Sequence, residues 1–533
     1  MMRGPLTGMT ILLFASRLGA QQIEVPRTDM LGVPTAVRQL MQAQPDASDF
    51  RGGWSGKVAR AQLTASAVGG TLPLVVIPAL FADSQQPIEE ISTSALQVRL
   101  FAESTPSTIS AYFRETSLGK LTVSGHVTEW VPTSFTRAEV VGQSAGLGPE
   151  AKPREWLRQA VANIDAKIDF GQFDNDGPDG IPNSGDDDGR VDGAAFLFRE
   201  IDAACGGNGV WPHRWRLSDE TVPGAVTNDL RPNGQPIVVD DYMVMGARTC
   251  SGTRALDLNV FAHETGHILG LPDYYDATGG VLREQRRWVV GCWEIMSAGS
   301  WGCGTGPAAT AVTPPHFGAY TKMLLGWVSP RTVVAKFRPE QHELRPAHST
   351  GDALRIPLSE REYLLLENRA RQGFDTGLPG AGVVVYHIEG GRNFLPCQAC
   401  PRIYSYMLLE GDGDSALVRV ETAGGNRGTG SDAFGPSRTR LDDSTVPSTR
   451  LNNGTPTWVT LSRMVVDAVT GIARVTVSFA PARFTVSAVV AALGLTPLPP
   501  EDATLLDSAG NENGRYDVGD FRAYLRIQAE TAN

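Results

Sequence analysis

Residues 261–276 read FAHETGHILGLPDYYD, and no other stretch limits the chain's fold and chemistry as strongly. His263 and His267 are four apart, so a helix here projects both imidazoles from one face about a turn apart. Two imidazoles so placed can clamp one metal ion, and Glu264 then lies beside the metal, where a carboxylate can take a proton from bound water. Gly270, followed by Leu271 and Pro272, predicts that the helix stops there, because glycine at a helix end turns through a positive φ. Asp273 then returns six residues beyond His267 as a third ligand, giving HExxHxxGxxD. Asp276 or a more distant side chain is the other way to complete the set. The opposing reading, a core helix with two satisfied histidines, accounts for neither Glu264 nor the Gly-Leu-Pro-Asp exit.

Downstream, residues 291–302 read GCWEIMSAGSWG, with Met296 among small residues that suit a tight turn. The pair of segments is similar to the metzincin pattern of zinc helix and Met-turn, with Asp in place of the usual third His. HETGHILGLPDYYD with CWEIMSAGSW resembles the immune inhibitor A family of secreted metallopeptidases. FRETSLGKLTVSGHVTEWVPT at 113–133 and EYLLLENRARQGFDTGLPGAGVVVYHIE at 362–389 carry the same likeness, which spans residues 72–390. The resemblance implies a zinc endopeptidase with His263, His267 and Asp273 as ligands, Glu264 as general base and Met296 as a structural floor. Protein or peptide substrates follow from it.

With 533 residues the chain exceeds one ordinary core, so several domains are expected. A net charge of -11 argues against an electrostatic nucleic-acid binder. Residues 1–20 have the basic start, apolar run and small-residue end of a secretory signal peptide. Beyond them no apolar run reaches the ~20 residues of a membrane span. Cys205, Cys250, Cys292, Cys303, Cys397 and Cys400 suit an exported, disulfide-bonded chain. Sequence does not choose among their fifteen complete pairings; a Cys205–Cys250 bridge would tie two loops ahead of the motif helix, Cys292–Cys303 would bracket the turn at Met296, and CQAC at 397–400 suits a local disulfide outside the cell.

The expected organisation is multidomain. After the signal peptide come a propeptide or linker at 21–70, an α/β metzincin-like catalytic domain at 71–335, a β-sandwich at 336–480 and a small helical segment at 484–533. LPLVVIPALF at 72–81 reads as a buried strand. ISAYFRETS and 151–168 read as helices, and LTVSGHVTEWV as a strand. The edge strand over the cleft is expected near Ile237 to Met245. Residues 336–480 alternate β-branched and polar positions between turns, hence the sandwich. His213, in GVWPHRW, reads as a core histidine in preference to a metal ligand.

Between the second helix and the next strand, seven aspartates crowd into 174–192 with several glycines. Like charges at that density repel unless a cation neutralises them. Calcium takes six to eight oxygen ligands from such loops. Asp174, Asp176, Asp179, Asp186, Asp188 and Asp192 are the candidate ligands, with a solvated acidic loop as the opposing reading. In the last segment, with Gly514 at the sixth position of an EF-hand-like loop, Asn511, Asn513, Asp517 and Asp520 fall at positions three, five, nine and twelve. Asp507 then substitutes for Ala509 at position one. The segment resembles half of a dockerin, which would let it dock to a cell surface or scaffold. A bare helical hairpin is the other reading. For the whole chain, the alternative to a peptidase is a calcium-dependent adhesion protein on a peptidase scaffold, and Glu264 argues against it.

Overall fold

The computed structural model describes residues 66–103, 105–219, 221–276, 288–302, 313–336, 338–390, 404–411, 428–435, 438–479 and 485–531. The signal peptide, nearly all of the propeptide or linker, Cys303 and the CQAC pair lie outside the described residues.

The apolar run at 72–80 lies in the strand Gly70–Leu80, which pairs in parallel with Leu121–Val127 on one side and Ala194–Phe198 on the other. The sheet continues through Asp241–Gly246, again parallel, to His213–Arg216, which is antiparallel. Leu72, Leu74 and Val76 face the helices Thr93–Phe101, Ile109–Thr116 and Leu258–Ile268; Val75, Ile77 and Ala79 face the helix Pro153–Ile164. A parallel strand covered on both faces has to be apolar at every position, which is why its sequence does not alternate. The covering helices show the complementary pattern. Ile109, Tyr112, Phe113 and Thr116 form one buried stripe at helical spacing, and Thr108 caps the helix by accepting from the Ala111 amide.

The edge strand is not the one expected near 237–245. Asp241–Gly246 is interior and buried throughout, and Pro236–Val239 pairs with Ala225–Leu230 in a separate hairpin. The edge is His213–Arg216, whose sequence HRWR is the more polar, as befits a strand with one open side.

The described residues between 331 and 479 form two sheets. The larger runs Tyr406–Leu409, Gly382–Glu389, Glu362–Arg369, Ala353–Pro357 and Arg331–Thr332; the smaller runs Glu340–Leu344, Ala473–Phe479 and Val459–Val466. One face of the larger sheet, with Leu364, Leu366, Val383 and Val385, packs on the smaller sheet. Its other face, with Leu365, Val384, Tyr386 and Ile388, shares one continuous core with Phe261, Ile268 and Met296. The larger sheet is therefore a middle layer, buried on both sides. The last segment holds three helices, Thr485–Ala492, Pro500–Asp507 and Val518–Thr531, the latter two packed around Leu506, Ala509 and Tyr524.

Candidate metal centre

The motif helix spans Leu258–Ile268. It ends as the glycine requires: Gly270 has φ +76°, its amide donates to the His267 carbonyl, and the Leu271 amide donates to the Gly266 carbonyl. This Schellman closure turns the chain back toward the helix. His263, Glu264, His267 and Asp273 are all buried. His263 Nδ1 lies 2.9 Å from the Ile295 carbonyl and His267 Nδ1 lies 2.7 Å from the Leu271 carbonyl. Each carbonyl can only accept, so each Nδ1 carries the proton and each Nε2 is left facing inward.

The two Nε2 atoms meet Asp273 Oδ1, at 3.0 Å from His263 and 3.5 Å from His267. Three electron-rich atoms so close need a cation or a proton among them. Ligand atoms about 2 Å from a tetrahedral zinc lie roughly 3.3 Å from one another, so the separations suit that ion. Burial disfavours the His263 imidazolium, yet Asp273 outweighs it and pushes that histidine up to about 9. Burial likewise opposes ionisation of Asp273, and the two imidazoles more than offset it, holding the carboxyl well below its usual range. Burial also raises Glu264, whose Oε2 is buried without a hydrogen-bond partner. The cleft above is walled by Trp211, Tyr275 and Trp301. Asp276, the competing third ligand, instead accepts a 2.5 Å hydrogen bond from Tyr404 Oη and stands outside the converging group.

Met296 lies beneath the helix. A β-carbon on Gly266 would come 2.3 Å from its sulfur, so the glycine inside HETGH is what lets the methionine approach. The Met296 carbonyl accepts from the Tyr274 amide at 2.7 Å, tying the loop that carries Asp273 to the same turn. The likeness to a Met-turn placed Met296 beneath the site, and Gly266 within the motif is the position that admits it.

Residues 90–328 match the family described as "Immune inhibitor A peptidase M6, catalytic domain". The chain is also 29% identical over 234 residues to "Immune inhibitor A" of Bacillus thuringiensis subsp. alesti, covering 41% of this chain and 32% of that protein. It is 28% identical over 226 residues to "Pre-pro-metalloprotease PrtV" of Vibrio cholerae serotype O1, covering 40% of this chain and 23% of that protein. The chain thus spans about a third or less of the length of these relatives.

Within the segment matching peptidase M6, the acidic loop brings Asp174, Asp176 and Asp187 together, with ligand oxygens within 4.8 Å of one another and all three buried. Asp174 Oδ1 is buried without a hydrogen-bond partner. Burial first, then Asp188, Asp187 and Asp176, push the Asp174 carboxyl up to about 7. Asp187 is a member that the expected ligand set does not contain, while Asp179 and Asp186, which it does contain, are exposed and outside the group. Asp186 instead serves the loop, accepting from the Ser184 hydroxyl at 2.5 Å and the Asp179 amide at 3.3 Å. Asp192 is buried and accepts from the Asn175 amide, and Asp188 is half-buried.

Beyond the M6 match, Asp507 accepts from the Asn513 and Gly514 amides and Asp520 from the Asn511 and Asp517 amides. Backbone amides thus close that loop, and Asp507, Asp517 and Asp520 form no converging acidic group among the described residues; Asn511 and Asn513 lie exposed in the same loop.

His213 hydrogen-bonds the Trp211 carbonyl at 2.8 Å and Tyr242 Oη at 3.0 Å, apart from His263, His267 and Asp273. It borders a cavity of about 340 Å³ with Arg154, Arg158 and Tyr242, which holds none of the three converging ligands. Cys205 and Cys250 are bridged, and Cys292 is also disulfide-bonded.

Proposed function

We propose that this chain is a secreted zinc endopeptidase, with His263, His267 and Asp273 as metal ligands and Glu264 as general base. The observation that carries the reading is the convergence of two Nε2 atoms with fixed tautomers on one carboxylate oxygen, beside an unpartnered buried glutamate. Zinc bound there supplies Lewis acidity, lowering the pKa of a water toward neutrality and polarising the scissile carbonyl. Glu264 Oε2 takes the proton of the attacking water and passes it to the leaving amine nitrogen, and burial has already shifted the carboxyl toward the working pH. The Ile295 and Leu271 carbonyls hold the imidazoles in place through Nδ1. Trp211, Tyr275 and Trp301 wall the cleft over the site, where a peptide substrate would lie. The Cys205–Cys250 bridge supports export, and no helix among the described residues is long and apolar enough to cross a membrane. Asp174, Asp176 and Asp187 are proposed to hold calcium, which stabilises the fold. The metalloprotease relatives favour the enzyme over the adhesion protein.

The test is metal content together with casein cleavage. One zinc per chain is expected, lost with activity in His267→Ala. Glu264→Ala should keep the zinc and lose roughly a hundred- to ten-thousand-fold in turnover. Normal cleavage by His267→Ala would overturn the site, and loss of zinc from Glu264→Ala would overturn the role of the glutamate.

A further inference from the structure

Four consecutive residues, Trp293 to Met296, are held from two opposite sides. On one side the Ile295 carbonyl fixes His263 Nδ1 and the Met296 carbonyl fixes the loop of Asp273. On the other, Trp293 and Glu294 are held by residues between 318 and 432. The Trp293 carbonyl accepts from Arg369 Nη1 at 2.7 Å, and its indole donates to Asp432 at 3.0 Å. Glu294 Oε2 accepts from the Gly318 amide at 2.8 Å, Thr321 Oγ1 at 2.7 Å and Tyr406 Oη at 3.3 Å.

Arg369 ends the strand Glu362–Arg369 in the middle sheet and is 1% exposed. Its Nε and Nη2 fork onto Asp375 at 2.8 and 2.6 Å, and Nη1 also reaches Glu367 at 3.2 Å. Burying such charges costs several kcal/mol per ion before pairing returns it, and well-packed apolar side chains often serve stability equally well. What apolar packing lacks is a donor aimed at a backbone carbonyl. The fork on Asp375 fixes the guanidinium plane, and the remaining Nη1 then points at Trp293.

We propose that Arg369 is a positioning residue for the metal site: by holding the Trp293 carbonyl it sets the turn from which Ile295 orients His263 and Met296 orients the Asp273 loop. The middle sheet is then a working part of the peptidase. The proposal rests on the zinc reading above.

The experiment compares full-length wild type, Arg369→Lys, Tyr406→Phe and Glu115→Gln. Lysine keeps the charge and loses the fork. Tyr406→Phe removes one contact to Glu294 without unpairing a charge, so it remains informative should Arg369→Lys fail to fold. Glu115 bonds His316 at 2.8 Å and the Phe374 amide in the same region without touching the turn, so its variant controls for stability alone. Zinc affinity by chelator competition should weaken about ten- to hundred-fold in Arg369→Lys and less in Tyr406→Phe, with a changed cobalt absorption spectrum. Glu115→Gln should lower the melting temperature and leave affinity and spectrum as in wild type. In the metal-free proteins, the His263 Nδ1 proton resonance should exchange faster with water in Arg369→Lys and be unchanged in Glu115→Gln. Wild-type affinity, spectrum and exchange in both turn variants would overturn the proposal, as would equal changes in Glu115→Gln. Absence of zinc from the wild type would instead overturn the peptidase reading, and the exchange measurement would still decide the role of Arg369.

Discussion

A β-carbon on Gly266 would lie 2.3 Å from the sulfur of Met296, so the motif helix and the turn beneath it meet where only a hydrogen is tolerated. On propensity alone, alanine in a helix interior is favoured over glycine by about 1 kcal/mol. Contact at this distance outweighs that, because the sulfur is enclosed in a fully buried core and cannot withdraw freely. Gly266→Ala should therefore lower the melting temperature and weaken zinc binding. Adding Met296→Ala should restore part of the zinc affinity lost in the single variant. A single variant as stable as wild type would show that the turn yields.

Asp273 and Asp276 should separate cleanly. Asp273→Ala should weaken zinc affinity roughly ten-fold or more, because it removes one of the three converging side chains proposed to hold the ion. Asp276→Ala removes the partner of Tyr404 and should act on stability, with near-normal zinc affinity. Chelator competition on both variants decides the matter, and the reverse ranking would pass the ligand role to Asp276.

Calcium should act on stability through Asp174, raised to about 7 against an ordinary 3.8. With the native pKa above the unfolded one, the native chain binds the extra proton between these values. Stability without calcium should accordingly fall as pH rises from about 4 to 7. Calcium replaces that proton, so its stabilisation should be larger at pH 7.5 than at pH 5, reaching about 2.7 kcal/mol at a hundredfold excess over Kd. Asp174→Asn should abolish the response in a melting titration, with initial turnover at low temperature little changed. Melting indifferent to millimolar calcium would leave the loop a solvated acidic surface.

His213 predicts the opposite slope. Burial, with a smaller contribution from Arg154, lowers it from 6.5 to about 4, against the upward pull of its bond to Trp211. The unfolded chain then takes the proton first as pH falls. Its contribution is fully present above pH 6.5 and lost progressively toward pH 4, by an amount on the order of 3 kcal/mol. His213→Gln should flatten denaturant-measured stability across that window. An unchanged slope would assign acid sensitivity to other groups.

What the sequence determined by itself is the chemistry carried on a single local element. His263, Glu264 and His267 are placed by helical spacing, and Gly270 turns the chain back because its positive φ is a local property of glycine. The apolar run at 72–80 was likewise legible, since a strand covered on both faces is apolar throughout, and so was the helix Ile109–Thr116, since one-sided burial imposes a helical period. Tertiary structure alone decided the rest. Asp187 displaced Asp179 and Asp186 because a loop without period places its carboxylates by how it folds over its own amides. His213–Arg216, not the strand near 237–245, became the edge because a strand's place in a sheet depends on its neighbours. Arg369 stands 76 residues from the Trp293 carbonyl it holds. No spacing rule links them, because contacts between separate layers are set by how the layers pack and leave no repeating trace along the chain.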